Sequence, residues 1–200
     1  MNVIKSGATH ERGQRTRGRM VRGAAQLLRE RGYSGMGFRE VIGLTGAPRG
    51  SIYHHFPGGK AQLATEAVRY AGGIATDVLR RSLDEGDPVA ALRAFVELWR
   101  ADFERSGGRA GCPVLAVAAE AHDNAPELQD AAADEFGRWQ AAFASSLQRA
   151  GVSPARSSRL AVLVVSAVEG AIVLSRANRD PQPLLDVAQE LEGTLRDATA

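Results

Sequence analysis

Cysteine is almost absent from these 200 residues. The lone Cys112 cannot build an internal disulfide framework, and it excludes any zinc or iron–sulfur site that needs several thiolates. Histidine is scarce as well. His10, His54, His55 and His122 include no pair at i, i+4, the spacing that sets two imidazoles on one helix face, so a helical zinc-hydrolase motif is excluded. No metal and no cofactor is expected. Long hydrophobic runs are missing too: the longest strongly apolar run, Leu160 to Val165, falls far short of the roughly 20 residues a membrane helix needs. The arginine-rich start lacks the apolar stretch and cleavage site of a signal peptide. A soluble, cytoplasmic protein with no membrane partner is therefore expected. The 44% of hydrophobic residues suffices for the core of one or two domains.

Charge is abundant but unevenly placed. Residues 1–60 hold eleven Lys/Arg against three acids, a net +8, whereas residues 61–200 hold 14 bases and 20 acids, a net −6. This split predicts a basic module for a polyanion, residues 1–60, and a second module with another task, residues 61–200. A solvated basic helix would give the same charge. Neutralising phosphates, with release of condensed counterions, is what arginine clusters do well.

Helical spacing dominates and no segment alternates like a strand for long, so an all-α fold is predicted. The first helix is expected from about Gln14 to Arg31, closed by Gly32. Two short ones follow, Phe38–Thr45 ended by Gly46, and Pro48–His55 ended by Pro57-Gly58-Gly59. Longer helices are read at Lys60–Leu83, Pro88–Arg105, Pro126–Ala150, Pro154–Asn178 and Leu184–Arg196, with a short apolar helix from Cys112 to His122. Asp84 to Asp87 reads as a turn. The nine helices divide into a three-helix head and a six-helix body.

Two short helices joined by Gly46-Ala47 behind a longer one have the form of a helix-turn-helix. Such a motif lays its second helix in the major groove with the N-terminal residues at base edges. Those residues are Pro48, Arg49, Gly50 and Ser51. Arg49 can pair with guanine O6 and N7, and Gly50 lets the backbone approach phosphate. Tyr53, His54 and His55 can donate to phosphates. Lys60 stands where the chain leaving the groove crosses the backbone, and Arg17 and Arg39 complete the candidate DNA-contacting set. Competing readings make Tyr53 a ring anchor beside the core residue Phe56, and the two histidines a pH sensor or metal site. Adjacent side chains on a helix diverge, which argues against one shared ion. Pro57-Gly58-Gly59-Lys60 lacks the spacing of a nucleotide loop.

The stretch Gly46-Ala47-Pro48-Arg49-Gly50-Ser51-Ile52-Tyr53-His54-His55-Phe56, followed by Gly59-Lys60-Ala61-Gln62-Leu63, resembles the DNA-binding core of the tetracycline-repressor family of bacterial regulators. The resemblance spans about residues 12–70. Position 48 is Pro where that family usually has a small polar residue, and position 37 is Gly where a Thr or Ser cap is common. Gly111-Cys112-Pro113-Val114-Leu115-Ala116-Val117-Ala118 is similar to a segment of the lincomycin-resistance-repressor-like branch. The resemblance implies a homodimeric repressor of a double-stranded, pseudo-palindromic DNA operator. Its heads would occupy successive major grooves, with Arg12, Arg15, Arg17 and Arg19 as an arm on phosphates or a minor groove. Its last two long helices would pair with those of a second copy. A small hydrophobic effector in the body would shift the Lys60–Leu83 helix and release the DNA. The greasy Leu160–Leu174 stretch and the last helix's leucine stripe independently suit an isologous dimer, or simply the body's own core.

Small-ligand pockets are lined mostly by apolar and aromatic groups. Phe95, Trp99, Phe103, Trp139 and Phe143 lie at helical spacing on two body helices; core packing is the default reading, and they are also candidates for the effector site. Cys112 joins them, either lining that site, serving as a redox switch, or inert and buried. Glu169 is the only ionisable residue between Arg159 and Arg176. It faces a ligand cavity or bonds across a dimer, since a buried unpaired carboxylate is costly. Glu120, His122, Asp123 and Asn124 read as polar capping before Pro126. No nucleophile or base with an orienting partner is visible, so the body is not expected to be an enzyme. An enzyme using the body pocket and an architectural DNA binder without ligand are the alternatives.

Overall fold

Proline at a first helical turn costs no hydrogen bond, because that N–H would have no partner in any case. Pro88, Pro113, Pro126 and Pro154 each open a helix in this way. The computed structural model describes residues 3–83, 86–120 and 125–200, and these form nine helices and no strand. The head comprises α1 (Val3–Arg31), α2 (Phe38–Thr45) and α3 (Arg49–His55). The body comprises α4 (Gly59–Leu83), α5 (Pro88–Arg105), α6 (Pro113–Ala119), α7 (Pro126–Arg149), α8 (Pro154–Asn178) and α9 (Gln182–Thr199).

Three boundaries differ from the sequence reading by three residues or more. The first helix begins at Val3 rather than near Gln14, so Arg12, Arg15, Arg17 and Arg19 are turns of α1 and not an extended arm. Residues 3–13 carry no apolar stripe, the only signal periodicity could detect. The helix expected from Cys112 to His122 stops at Ala119, where Glu120 turns extended at ψ 122°; the caps expected at His122, Asp123 and Asn124 lie outside the described residues, as does Asp84 of the expected turn. Helix α9 runs three residues further than Arg196.

One hydrophobic core runs through head and body, from Met20, Leu28 and Ile52 to Trp139, Phe143 and Val164. Its middle is the crossing of α4 and α7. There Gly72 removes the side chain that would keep the helices apart. A Cβ at that position would lie 2.6 Å from Cδ of the fully buried Glu135. The Trp139 indole donates to the Gly72 carbonyl at 3.2 Å.

The head is fastened to the body by polar contacts at the middle and around the C-terminal end of α1. Arg29 pairs with Asp102 of α5 at 2.5 Å, and Arg17 with Glu66 of α4 at 2.6 Å. The α1 carbonyls of Arg29 and Glu30 accept from the Gly111 amide at 2.9 Å and from Arg176 at 3.2 Å. Glu120 accepts from the Tyr33 amide at 2.6 Å, the Ser34 amide at 2.9 Å and the Ser34 hydroxyl at 2.6 Å.

Helix α8 has a mean hydropathy of 1.9 over its most apolar 18 residues, and half of that stretch is buried within the protein. By length and composition it could cross a membrane, a property hidden when only unbroken runs are counted. Its outer face shows Val162, Leu163, Val173 and Leu174, each about half exposed, around Ser166 and Gly170.

Candidate nucleic-acid interface and body cavities

The turn between α2 and α3 is built from its backbone. Gly46 adopts φ +63° and its N–H closes α2 on the Ile42 carbonyl at 2.9 Å. That left-handed conformation is cheap for glycine alone. Pro48, extended at φ −61°, is the N-cap of α3 and gives no side-chain cap. The Ser51 hydroxyl donates to the Pro48 carbonyl at 2.7 Å instead. Gly37 likewise gives α2 no side-chain cap. The Glu40 carboxylate folds over it, so that a Cβ on Gly37 would meet Oε2 at 2.5 Å. Its own amide and Arg39 hold that carboxyl below the usual range.

Helix α3 turns Ile52 into the core, with Phe56 buried just beyond its end, and leaves Arg49, Gly50, Tyr53 and His54 exposed. Tyr53 is 68% exposed and meets Phe38 edge-on at 5.3 Å. A Cβ at Gly50 would touch nothing, so the chain is open to approach there. Arg39 is free to solvent apart from a 3.2 Å pair with Glu40. His55 is half-buried; burial, then His54 and Arg17, push its pKa down, favouring the neutral ring.

Two of the expected DNA contacts are otherwise engaged. Arg17, bound to Glu66, also stacks on the Phe56 ring at 5.2 Å, fastening α1 to α4 behind the recognition helix. The Lys60 ammonium lies 4.2 Å from the Tyr33 ring centroid, and burial lowers its pKa. Both long side chains cover apolar surface near the core rather than standing free.

The body holds a cavity of about 770 Å³ between α6, α7, α8 and α9. Its walls are nearly all apolar: Leu115, Phe136, Val165, Val173, Leu174 and Val187, with Gln140, Ser166 and Glu169 as polar exceptions. Of the seven residues nominated for the effector, Glu169 alone lines it. Among the described residues neither carboxyl oxygen of Glu169 has a partner at ordinary hydrogen-bond geometry, and the Cys112 thiol is its polar neighbour. Burial pushes its pKa up to about 8, so it holds a proton at neutral pH.

The aromatic candidates pack into the core, the default that helical spacing gave them, and none of them lines this cavity. Phe95 is the hub, edge-on to Trp99, Trp139 and Phe143 at 5.9, 5.4 and 5.8 Å. Phe103 is buried against Gly108. Helical spacing marks a buried face but does not say whether that face meets a wall or a void. Cys112 caps α6, accepting from the Leu115 amide at 3.4 Å. Burial first and the neighbouring Glu169 second push its thiol pKa up, which suppresses the thiolate. Phe136, Gln140 and Leu115 were missed. Phe136 shares the Trp139–Phe143 stripe but sits at its edge, and periodicity does not separate edge from centre. Trp99 opens onto a second, smaller cavity.

Comparison with known proteins agrees with this geometry. Residues 21–67 match the family model described as bacterial regulatory proteins, tetR family. Residues 88–190 match that of the LmrA/YxaF-like transcriptional regulator C-terminal domain. An HTH-type transcriptional regulator of Mycobacterium tuberculosis is 42% identical over 188 residues, 91% of this chain and 95% of its own length. The HTH-type transcriptional regulator YxaF of Bacillus subtilis is 34% identical over 182 residues, 90% of this chain and 95% of its own length. The crystal structure of a TetR-family regulator from Agrobacterium tumefaciens superposes with a TM-score of 0.81 at 21% identity, covering 94% of this chain and all of that one.

Proposed function

Because this chain belongs to the tetracycline-repressor family and is a DNA-binding transcriptional regulator, we propose that it is a ligand-released repressor acting as a homodimer on a pseudo-palindromic operator in the cytoplasm. The division of labour is residues 1–60 for DNA and residues 61–200 for effector and dimer contacts. The observation that carries this reading is α3: its core residue Ile52 is fully buried while Arg49, Tyr53 and His54 face outward. A packed helix that spends an arginine and a tyrosine on solvent gains little stability from them. The same groups suit guanine edges and phosphates.

The outer face of α8 supports the dimer. Val162, Leu163, Val173 and Leu174 form an apolar stripe that one copy alone leaves wet, and a second copy would cover it by two-fold symmetry. The cavity beside Glu169 opens along this stripe, so the partner's helices would roof it. A small, mostly apolar effector there would bear on α6 through Leu115, and α6 ends at Glu120, which grips the Tyr33–Ser34 turn of the head. Differential affinity of the effector for two head arrangements, typically about 1–3 kcal/mol, is all that release requires. No catalytic step is needed.

Selection from random duplex DNA tests the reading. An inverted repeat with half-sites about one helical turn apart is expected; recovery of a single unpaired half-site would refute the dimeric reading. With the selected operator, Arg49→Ala should lose about 1–3 kcal/mol of specific affinity and little affinity for unrelated DNA. A specific-to-nonspecific ratio unchanged in gel-shift titration removes Arg49 from base readout.

A further inference from the structure

A cavity of about 350 Å³ lies between α1 of the head and α4 and α5 of the body, sharing no lining residue with the cavity beside Glu169. Its chemistry is the reverse of that one. Arg22, Arg29 and Arg105 bring three guanidiniums to its walls, against the single carboxylate of Asp102. Asp102 is already taken by Arg29 and Arg105. Arg22 is exposed and no acid is paired with it among the described residues.

Hydrogen-bond donors are in surplus as well. Trp99 lines the cavity and is 5% exposed, and its buried indole N–H has no acceptor among the described residues. The Nε of Arg29 is buried and likewise unpartnered among the described residues. Buried donors without partners are uncommon in folded proteins, and each calls for an explanation. Apart from the Gln26 amide and the Tyr70 hydroxyl, the remaining wall is apolar, with Leu98, Ile74 and the Tyr70 ring, Tyr70 and Ile74 each being 40% exposed. A group completing this site must bring acceptors and negative charge to the guanidiniums, and apolar surface to Tyr70 and Ile74.

We propose that this cleft binds an organic anion, a carboxylate carried on a compact apolar body of one or two rings. Carboxylates match the planar fork of arginine in two parallel hydrogen bonds. A cation is repelled by the excess guanidiniums, and a neutral alcohol leaves them unmatched. The volume falls at the low end of small-molecule sites, which run from about 300 to 1,000 Å³. Because α1 carries the head and α4 and α5 belong to the body, the occupant bridges the two. The inference stands apart from the effector reading of the larger cavity.

The chain has two tryptophans, Trp99 and Trp139, so an amide-type nitrogen spectrum of the full ¹⁵N-labelled protein shows two indole signals, told apart by Trp99→Phe. Titration with 1-naphthoate should shift the Trp99 indole signal in a saturable way and leave that of Trp139 in place. The neutral 1-naphthylmethanol should bind at least about tenfold more weakly, and inorganic phosphate likewise, because each lacks one half of the recognition. Arg22→Gln and Arg105→Gln alter exposed side chains. Each should weaken naphthoate several-fold while circular dichroism and melting stay unchanged. The proposal is overturned if no signal saturates, if only Trp139 responds, if the alcohol or phosphate binds as well as the acid, or if both arginine variants bind naphthoate like the parent.

Discussion

Glu169 is held where a carboxylate is least welcome, buried beside the Cys112 thiol with no ion-pair or hydrogen-bond partner at ordinary geometry among the described residues. Its pKa rises from 4.5 to about 8 through burial. Between those values the native chain binds more proton at this site than the unfolded chain, so stability falls as pH rises, and the loss is complete above about pH 8. From pH 5.5 to 8.5 the contribution amounts to about 3 kcal/mol. Urea melts of Glu169→Gln should therefore lack this part of the decline: the variant gains on the parent as pH increases. Parallel pH profiles for the two proteins would contradict the assignment. The sequence announced this residue, because one ionisable group stood alone in an apolar helix. It could not announce Phe136 or Gln140, whose role depends on which side of α7 was left unfilled.

Helix α4 joins the head to the body, and its middle holds two adjacent glycines in opposite circumstances. Gly72 lies against α7, where an added Cβ would stand 2.6 Å from Glu135 Cδ, whereas at Gly73 it would meet nothing. Gly72→Ala should destabilise by about 1–3 kcal/mol, because the Glu135 side chain and the Trp139 bond to the Gly72 carbonyl would have to move. Gly73→Ala should stabilise by roughly 0.5–1 kcal/mol through helix propensity. Thermal or urea melts of the pair check this, and equal effects would mean that α7 does not press on α4 at that point. Element boundaries were legible wherever chemistry marks them. Proline opened α5, α7 and α8, and Gly46 closed α2, as read. The start of α1 carried no such mark. The aromatic stripes of α5 and α7 were found by spacing, but spacing could not choose between core and pocket, since edge-on packing of Phe95 with Trp99, Trp139 and Phe143 is a property of three dimensions.

At the scale of the whole molecule, the charge split and the exposed α8 face are two sides of one requirement. A head of net +8 on residues 1–60 binds any duplex electrostatically, with strong dependence on salt. Selectivity for an inverted repeat needs two heads held at a set separation, and nothing within one chain supplies the second. The α8 stripe is where that separation would be set. Val162 is 48% exposed in the single chain and does not line the large cavity, so Val162→Glu should leave each subunit folded. In a two-fold interface the substitution enters twice, and each carboxylate would lose water without gaining a partner, a cost of about 3–5 kcal/mol. The variant should run as a monomer in light scattering, lose affinity for an inverted repeat at least about a hundredfold, and bind unrelated DNA nearly as its parent does. A variant that remains dimeric, or that keeps its full preference for the inverted repeat, would place the subunit contact on another face and leave the α8 stripe without its partner.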